Sequence, residues 1–466
     1  MVAAAVRDAL NRLTLERLIQ LAIVATVVTA VLAAGALLSW LEPARKLRWV
    51  ALLALLALAL VAARRAGLAL RPRGAYAAVA VLGALAVLSA AWSSRPVSTA
   101  AHAASFVVLL AVCVALAQAV RGRPDGIRAV LDGILAATAV VAVGGLLVLL
   151  FRHDRALAPA STSLPVRYQG LGGGPDTATM VMAIGVPLAA RALADTWRRP
   201  AALVPGAVLL LLLGSIVASG SRGALLAAFA GLFAYVLLGF DGARRRIVLV
   251  VAVAAGFVVS VLLTRVPQPL DAPPAAPPAP ASTDTNVPKA RPGYVDANLV
   301  WRLNDDIGHP LPGVADTTPQ PRTLFGTSGR AEAWAGALAL GAKRPLLGYG
   351  LGREDDVFVD RYVDFNSNQP ENSYLGLFLQ LGLVGVVVFL LLVAGLAVGA
   401  LRALGRLLER ERRLVAAAAG GLAAGLVLAF FQSYVYAVGS NAAAAVWICA
   451  FMLAAASTLR DASAHG

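Results

Sequence analysis

Four consecutive residues, Glu371, Asn372, Ser373 and Tyr374, set a carboxylate, an amide, a hydroxyl and a phenol side by side. They stand between the longest polar region of the chain and an apolar run, Leu375 to Gly385, that begins with almost no polar lead-in. An ionisable group where water gives way to lipid is by default a functional-site hypothesis. A plainer role is also open, since a carboxylate at the start of a helix suits the N-terminal dipole.

Three arginines offer cationic partners for an anion. Arg222 sits in Ser219-Gly220-Ser221-Arg222-Gly223, a turn so tight that the flanking apolar segments must nearly touch. It either meets an anion there or snorkels to the interface. Arg330 heads the helical pattern Arg330, Trp334, Leu338, for which Thr327-Ser328 is the expected cap and Lys343-Arg344-Pro345 the stop. A guanidinium at a helix start suits phosphate; a surface pair with Glu332 or another acid is the alternative. Arg167 opens Arg167-Tyr168-Gln169-Gly170-Leu171-Gly172-Gly173-Gly174-Pro175-Asp176, whose glycines permit close backbone approach. Asp176 reads as an N-cap, and Asp132 as a structural partner four residues after Arg128. Gly421 and Gly425 have the spacing of close helix packing. The four histidines, at 102, 153, 309 and 465, share no ligand spacing with carboxylates, so neither a catalytic metal nor another cofactor is expected.

The elements that position these residues follow from composition. The chain has 466 residues, 59% hydrophobic and 14% charged, with a mean hydropathy of +0.77. That excludes a soluble globule and predicts an all-α, polytopic membrane protein. The net charge of +15 does not signal a nucleic-acid partner, because the arginines come in short clusters between apolar runs. Cys113 and Cys449 both lie inside such runs, so no disulfide framework is implied. Twelve segments are long and apolar enough to predict spans: 18–40, 48–63, 74–92, 101–120, 129–151, 177–195, 201–219, 222–240, 247–264, 373–397, 414–431 and 442–458. With both termini in the cytoplasm, inner segments carry 22 Lys/Arg against eight in the short outer loops. The chain then divides into 1–264 with nine spans, an outer loop 265–372, and 373–466 with three spans. Within the loop, residues 266–293 hold nine prolines and read as an extended tether. Residues 327–372 read as helical, with a glycine-rich turn at Gly348-Tyr349-Gly350-Leu351-Gly352 and a short helix near 354–363.

The order of these parts resembles the O-antigen ligase and O-antigen polymerase superfamily, lipid-linked glycan transferases of the bacterial envelope. Ala91-Trp92-Ser93-Ser94 with Pro96 resembles its W-S segment, and Arg167 to Asp176 its R-x-x-G…P-N segment, with Asp in place of Asn. Ser221-Arg222-Gly223-Ala224 resembles its S-R-[GT]-[AG] turn. The stretch Gly329-Arg330…Trp334…Pro345-Leu346-Leu347-Gly348-Tyr349-Gly350, then Asn372-Ser373-Tyr374-Leu375…Gly382-Leu383-Val384-Gly385, resembles its longest motif. Glu371 stands where the ligase branch is known for a histidine thought to act as general base.

The resemblance implies an undecaprenyl-diphosphate-linked glycan as donor and a sugar hydroxyl as acceptor, on a polysaccharide or on lipid A-core. It implies a multi-pass protein of the bacterial inner membrane with its active site on the periplasmic face of the lipid bilayer. Arg222 and Arg330, then Arg167, are the expected diphosphate ligands. Glu371 is the expected proton acceptor, with Asn372 and Tyr374 orienting the base or the sugar. The departure at Glu371 favours a polymerase over a ligase. A lipid-linked glycan flippase is the rival class, and would need cations along a path to the inner face, where the mid-segment positions are nearly free of charge. A non-catalytic assembly partner is the second rival.

Overall fold

The computed structural model describes residues 2–34, 42–67, 74–158, 166–264, 330–358 and 369–459. The expected tether 266–293, the Thr327-Ser328 cap, His309 and His465 lie outside these residues, as does the later part of the helix expected near 354–363.

The described chain is a helical bundle. Its first half runs α1 (Val2–Ala34), α2 (Glu42–Arg65), α3 (Ala75–Leu88), α4 (Pro96–Ala119), α5 (Pro124–Phe151) and a single turn α6 (His153–Ala156). A two-residue hairpin follows, β1 (Leu157–Ala158) pairing antiparallel with β2 (Arg167–Tyr168). Then come α7 (Pro175–Thr196), α8 (Leu203–Ser219), α9 (Arg222–Gly239) and α10 (Ala243–Leu263). After the loop lie α11 (Arg330–Gly341), α12 (Glu354–Val357), α13 (Ser373–Leu404), α14 (Glu409–Leu428) and α15 (Ala443–Ala456).

Each of the twelve expected segments contains helix, though several, such as 414–431 and 442–458, end sooner than expected. Among the described residues, nine helices are long and apolar enough to cross a membrane: α1, α2, α4, α5, α7, α8, α9, α10 and α13. The α3 and α15 segments are apolar but shorter, and α14 opens on the charged run Glu409-Arg410-Glu411-Arg412-Arg413. The segment expected at 48–63 is longer than its hydropathy suggested, because α2 continues to Arg64 and Arg65.

Lipid tails give apolar helices no hydrophobic reason to associate, so close packing and polar contacts decide which ones meet. The α7 and α15 helices are buried along almost their whole length. Gly421 and Gly425 of α14 press on α15, where a Cβ would run into Cys449 and Val446. By contrast α10 buries only Ser260 and exposes its valines and leucines, as suits a helix that faces lipid.

An ion-pair network ties one end of the bundle. Arg191, 2% exposed, meets Asp132 of α5 and Asp195 of its own helix. Arg128 and Arg413 also reach Asp195, at 3.6 and 3.1 Å. Asp132 is thus a structural partner, but of Arg191 on α7 rather than of Arg128, because its carboxylate turns toward the neighbouring helix. Asp195 and Arg413 lie at the ends of α7 and α14 remote from Asp176 and Ala429, so the network and the residues described next occupy opposite ends of those helices.

Candidate functional site

The expected continuous helix at 373–397 is broken. Gly382, inside α13, has φ 66° and ψ −168°, a conformation essentially confined to glycine. The break frees backbone groups that would be costly in a membrane unless protein satisfies them. The glycine-rich turn after α11 does so. Tyr349 and Gly350 donate their N–H groups to the carbonyls of Leu379 and Gln380, both at 2.8 Å. Leu383 and Val384 donate theirs to the carbonyls of Pro345 and Leu346, at 2.8 and 3.2 Å. A Cβ on Gly348 or Gly382 would meet the opposing backbone, so these glycines form one interlocked contact. The Trp92-Ser93 segment braces it: Trp92 Nε1 donates to Leu347 O at 3.1 Å, and Leu351 N donates to Ser89 Oγ at 3.0 Å.

Above the break α13 begins at Ser373. Its N-cap is Asn372, whose Oδ1 accepts from Tyr374 N at 3.0 Å and Leu375 N at 3.2 Å. Glu371 is therefore not the helix cap, which corrects the plainer expectation for it. It lies one residue outside, with φ 47°, the only non-glycine residue with positive φ among those described. That backbone costs about 1–2 kcal/mol for an L-residue. Three contacts hold it there. Asn372 N donates to Ser433 Oγ at 3.2 Å, Trp334 Nε1 donates to Pro370 O at 2.9 Å, and Arg330 Nη2 donates to Glu371 Oε2 at 2.5 Å. Arg330 and Trp334 thus share the face of α11 that the sequence periodicity assigned to them. Arg330 Nε is buried with no hydrogen-bond partner among the described residues.

The other arginines converge on the same place. Gly220, with φ 61°, and Ser221 form the whole connection between α8 and α9, so Arg222 starts its helix immediately. Arg222 lies within electrostatic range of Arg330, Arg167 and Asp176. Arg167, 8% exposed, is carried on β2; its Nε donates to Ser219 O at 2.7 Å and its Nη2 to Asp176 Oδ1 at 3.2 Å. Asp176 is the second residue of α7 and makes no capping hydrogen bond, since Gly174 occupies the cap position; its carboxylate turns to Arg167 instead. Burial raises the Glu371 carboxyl above its ordinary range, Arg330 opposes that shift, and Asp176 adds to it. Three guanidiniums therefore gather around two carboxylates.

Tyr374 is placed differently. Its hydroxyl donates to Leu426 O at 2.9 Å and its ring packs on Phe430 and Phe389. His102 Nδ1 contacts Ser98 O of its own helix. Among the described residues no three His, Cys, Asp or Glu side chains come together as metal ligands.

One buried acid had no signal in sequence. Glu354, 3% exposed, accepts from Ser433 Oγ at 2.7 Å, from Gln380 Nε2 at 3.2 Å and from the Tyr436 hydroxyl. It belongs to Arg353-Glu354-Asp355-Asp356, at the start of the short helix expected near 354–363; only Ser433 and Tyr436, some eighty residues on, reveal its burial.

Residues 207–390 match the family model described as O-antigen ligase. Over this segment the chain is similar to the O-antigen ligase family, which supports the resemblance to the ligase/polymerase superfamily. The O-antigen ligase match contains Arg222, Arg330, Glu371 and the Gly348–Gly382 contact, while Trp92 and Arg167 join them from outside it. A comparison with curated proteins gives no match. Nine helices apt to cross a membrane among the described residues, together with this similarity, fit a multi-pass membrane protein.

Proposed function

We propose that the protein transfers a glycan from an undecaprenyl-diphosphate donor to a sugar hydroxyl, with a growing polysaccharide favoured over lipid A-core as acceptor because Glu371 replaces the ligase branch's histidine. The observation that carries this reading is Arg330. It pairs with Glu371 through Nη2 and keeps a buried Nε–H without an acceptor, beside two further arginines. Buried donors normally have partners, so an unmatched guanidinium edge suits an oxyanion supplied by a ligand.

The chemistry follows from that arrangement. The acceptor oxygen attacks the anomeric carbon while the bond from that carbon to the diphosphate oxygen breaks, inverting the centre. Arg222, Arg330 and Arg167 offset the charge that develops on the leaving diphosphate. The acceptor proton passes to the Glu371 carboxylate, and no metal is required. When diphosphate engages Arg330, the guanidinium is drawn off Glu371, whose basicity then rises because burial is no longer opposed. Donor binding would thereby switch on the base. Asn372 fixes the helix start behind it, and Tyr374 anchors that start to α14.

The test is product formed from lipid-linked donor by the purified full-length protein. Glu371→Gln keeps shape but removes the proton acceptor, and should lower turnover by about 10²–10⁴. Glu371→His should recover part of that loss, imidazole being a competent base near neutral pH. Wild-type turnover in both variants would remove Glu371 from the chemistry.

A further inference from the structure

Behind the Glu371–Asn372 junction lies a second polar cluster, buried and drawn from three parts of the chain. Glu354 comes from α12, Gln380 from the half of α13 before the break, and Ser433 and Tyr436 from the turn between α14 and α15. Glu354, Gln380 and Tyr436 are 3%, 1% and 8% exposed. The links run in series. Asn372 N donates to Ser433 Oγ, and Ser433 Oγ donates to Glu354 Oε1. The other carboxyl oxygen takes Tyr436 and Gln380. Gln380 Oε1 accepts in turn from Gly352 N at 2.6 Å, which connects the cluster to the glycine-rich turn. Gly376 leaves the space, since a Cβ there would strike the Tyr436 hydroxyl and Glu354.

We propose that Glu354 is a positioning residue for the transfer step, holding the left-handed backbone of Glu371 in place through Ser433. This rests on the reading that Glu371 meets the acceptor hydroxyl. The physical reason is that the Glu371 conformer is unfavourable on its own and persists because its surroundings fix it, the bond to the next peptide N–H being one of three contacts that do so. Ser433 fixes that N–H, and Ser433 is oriented by the carboxyl of Glu354. Truncating Glu354 frees the Ser433 hydroxyl to turn, and the base can then relax away from the acceptor.

Burial pushes the Glu354 carboxyl from an ordinary 4.5 up to about 8, with Ser433 and Tyr436 opposing the shift and Asp355 adding to it. The other charged neighbours are already matched, Arg353 and Arg95 both meeting Asp356. His102, on α4 beside Gly352, is held by Ser98. Burial thus favours a protonated carboxyl near neutral pH, whose O–H then donates to the Tyr436 hydroxyl in place of the bond that hydroxyl gives to the carboxylate. The folded state binds a proton that the unfolded state releases above about 4.5, so stability falls as pH rises from there through about 8. Ionising Glu354 would put an unmatched charge behind the base and lower the rate over the same upper limb.

The experiment measures kcat and donor KM from pH 6 to 9 for the full-length protein, with thermal unfolding in parallel. Glu354→Ala and Ser433→Ala should lower kcat on the order of 10-fold to 100-fold, as small misplacements of a reacting group do, with KM little changed. Glu354→Gln should retain more turnover than Ala and lose the alkaline fall in both rate and stability. Unchanged kcat in the Ala variants overturns the proposal, whatever happens to their stability. If they do not fold, Glu354→Gln and Tyr436→Phe decide it, and an alkaline limb identical to wild type overturns it. Glu371→Gln run alongside separates the two readings: its full activity refutes the base, not the post behind it.

Discussion

Arg222, Arg330, Arg167 and Glu371 come from four separate elements, and their side-chain types alone marked them out. A guanidinium or carboxylate beside an apolar segment is conspicuous by composition. What composition could not supply was the pairing. Asp176 turned to Arg167 instead of capping its helix, and Glu354 showed nothing locally of its burial, because both facts depend on residues distant in sequence. Arg222, like Arg330, is the first residue of its helix, with the N-terminal dipole behind the guanidinium. If it grips diphosphate through its fork, Arg222→Lys keeps the charge but should already reduce turnover, and Arg222→Ala should reduce it further with the protein still inserted. Product formation from lipid-linked donor, alongside yield in the membrane fraction, checks this. Full activity in Arg222→Ala would leave it an interface anchor.

Among the elements, the least legible is α13. Hydropathy runs unbroken through Leu381-Gly382-Leu383, since it reports composition and not dihedral angles. The Pro345–Gly350 turn carried a motif but no sign of what it touches. Only the reciprocal hydrogen bonds show that the two glycine motifs are halves of one joint. Gly382→Ala should therefore destabilise the protein by about 1–3 kcal/mol or more, from the forbidden backbone plus collision with Leu346. Gly405→Ala is the control, having helical backbone and open space. Thermal unfolding in detergent gives the comparison. Equal stability of the two variants would mean that the break is not needed.

At the scale of the whole molecule, a charged cluster stands at each end of the bundle. At one, Arg128, Arg191 and Arg413 pair with Asp132 and Asp195 and tie α5, α7 and α14 together. At the other, Arg222, Arg330 and Arg167 gather around Glu371 and Asp176. The asymmetry of Lys/Arg in the loops predicts that the first end faces the cytoplasm. Cysteines placed at Ala275 and Ala403, in a background lacking Cys113 and Cys449, should differ in labelling by an impermeant thiol reagent, with 275 labelled and 403 protected. The reverse pattern would turn the site inward. The broken helix then acquires a further meaning. Residues 383–404 make a helical stretch of about 33 Å, enough by itself to cross the hydrocarbon. Residues 373–381 add about 13 Å more before Asn372 is reached. If Glu371 is the base, that first piece is a gauge between the joint and the base, and the turn stitched to the joint keeps it from sliding. A polyprenyl carrier is a flexible tail on a charged head, and it presents its reactive sugar at a height fixed by its own covalent structure. On the proposed reading, matching that height with nine residues lets one centre meet glycans of any length, because everything beyond the first sugar lies outside the measured gap.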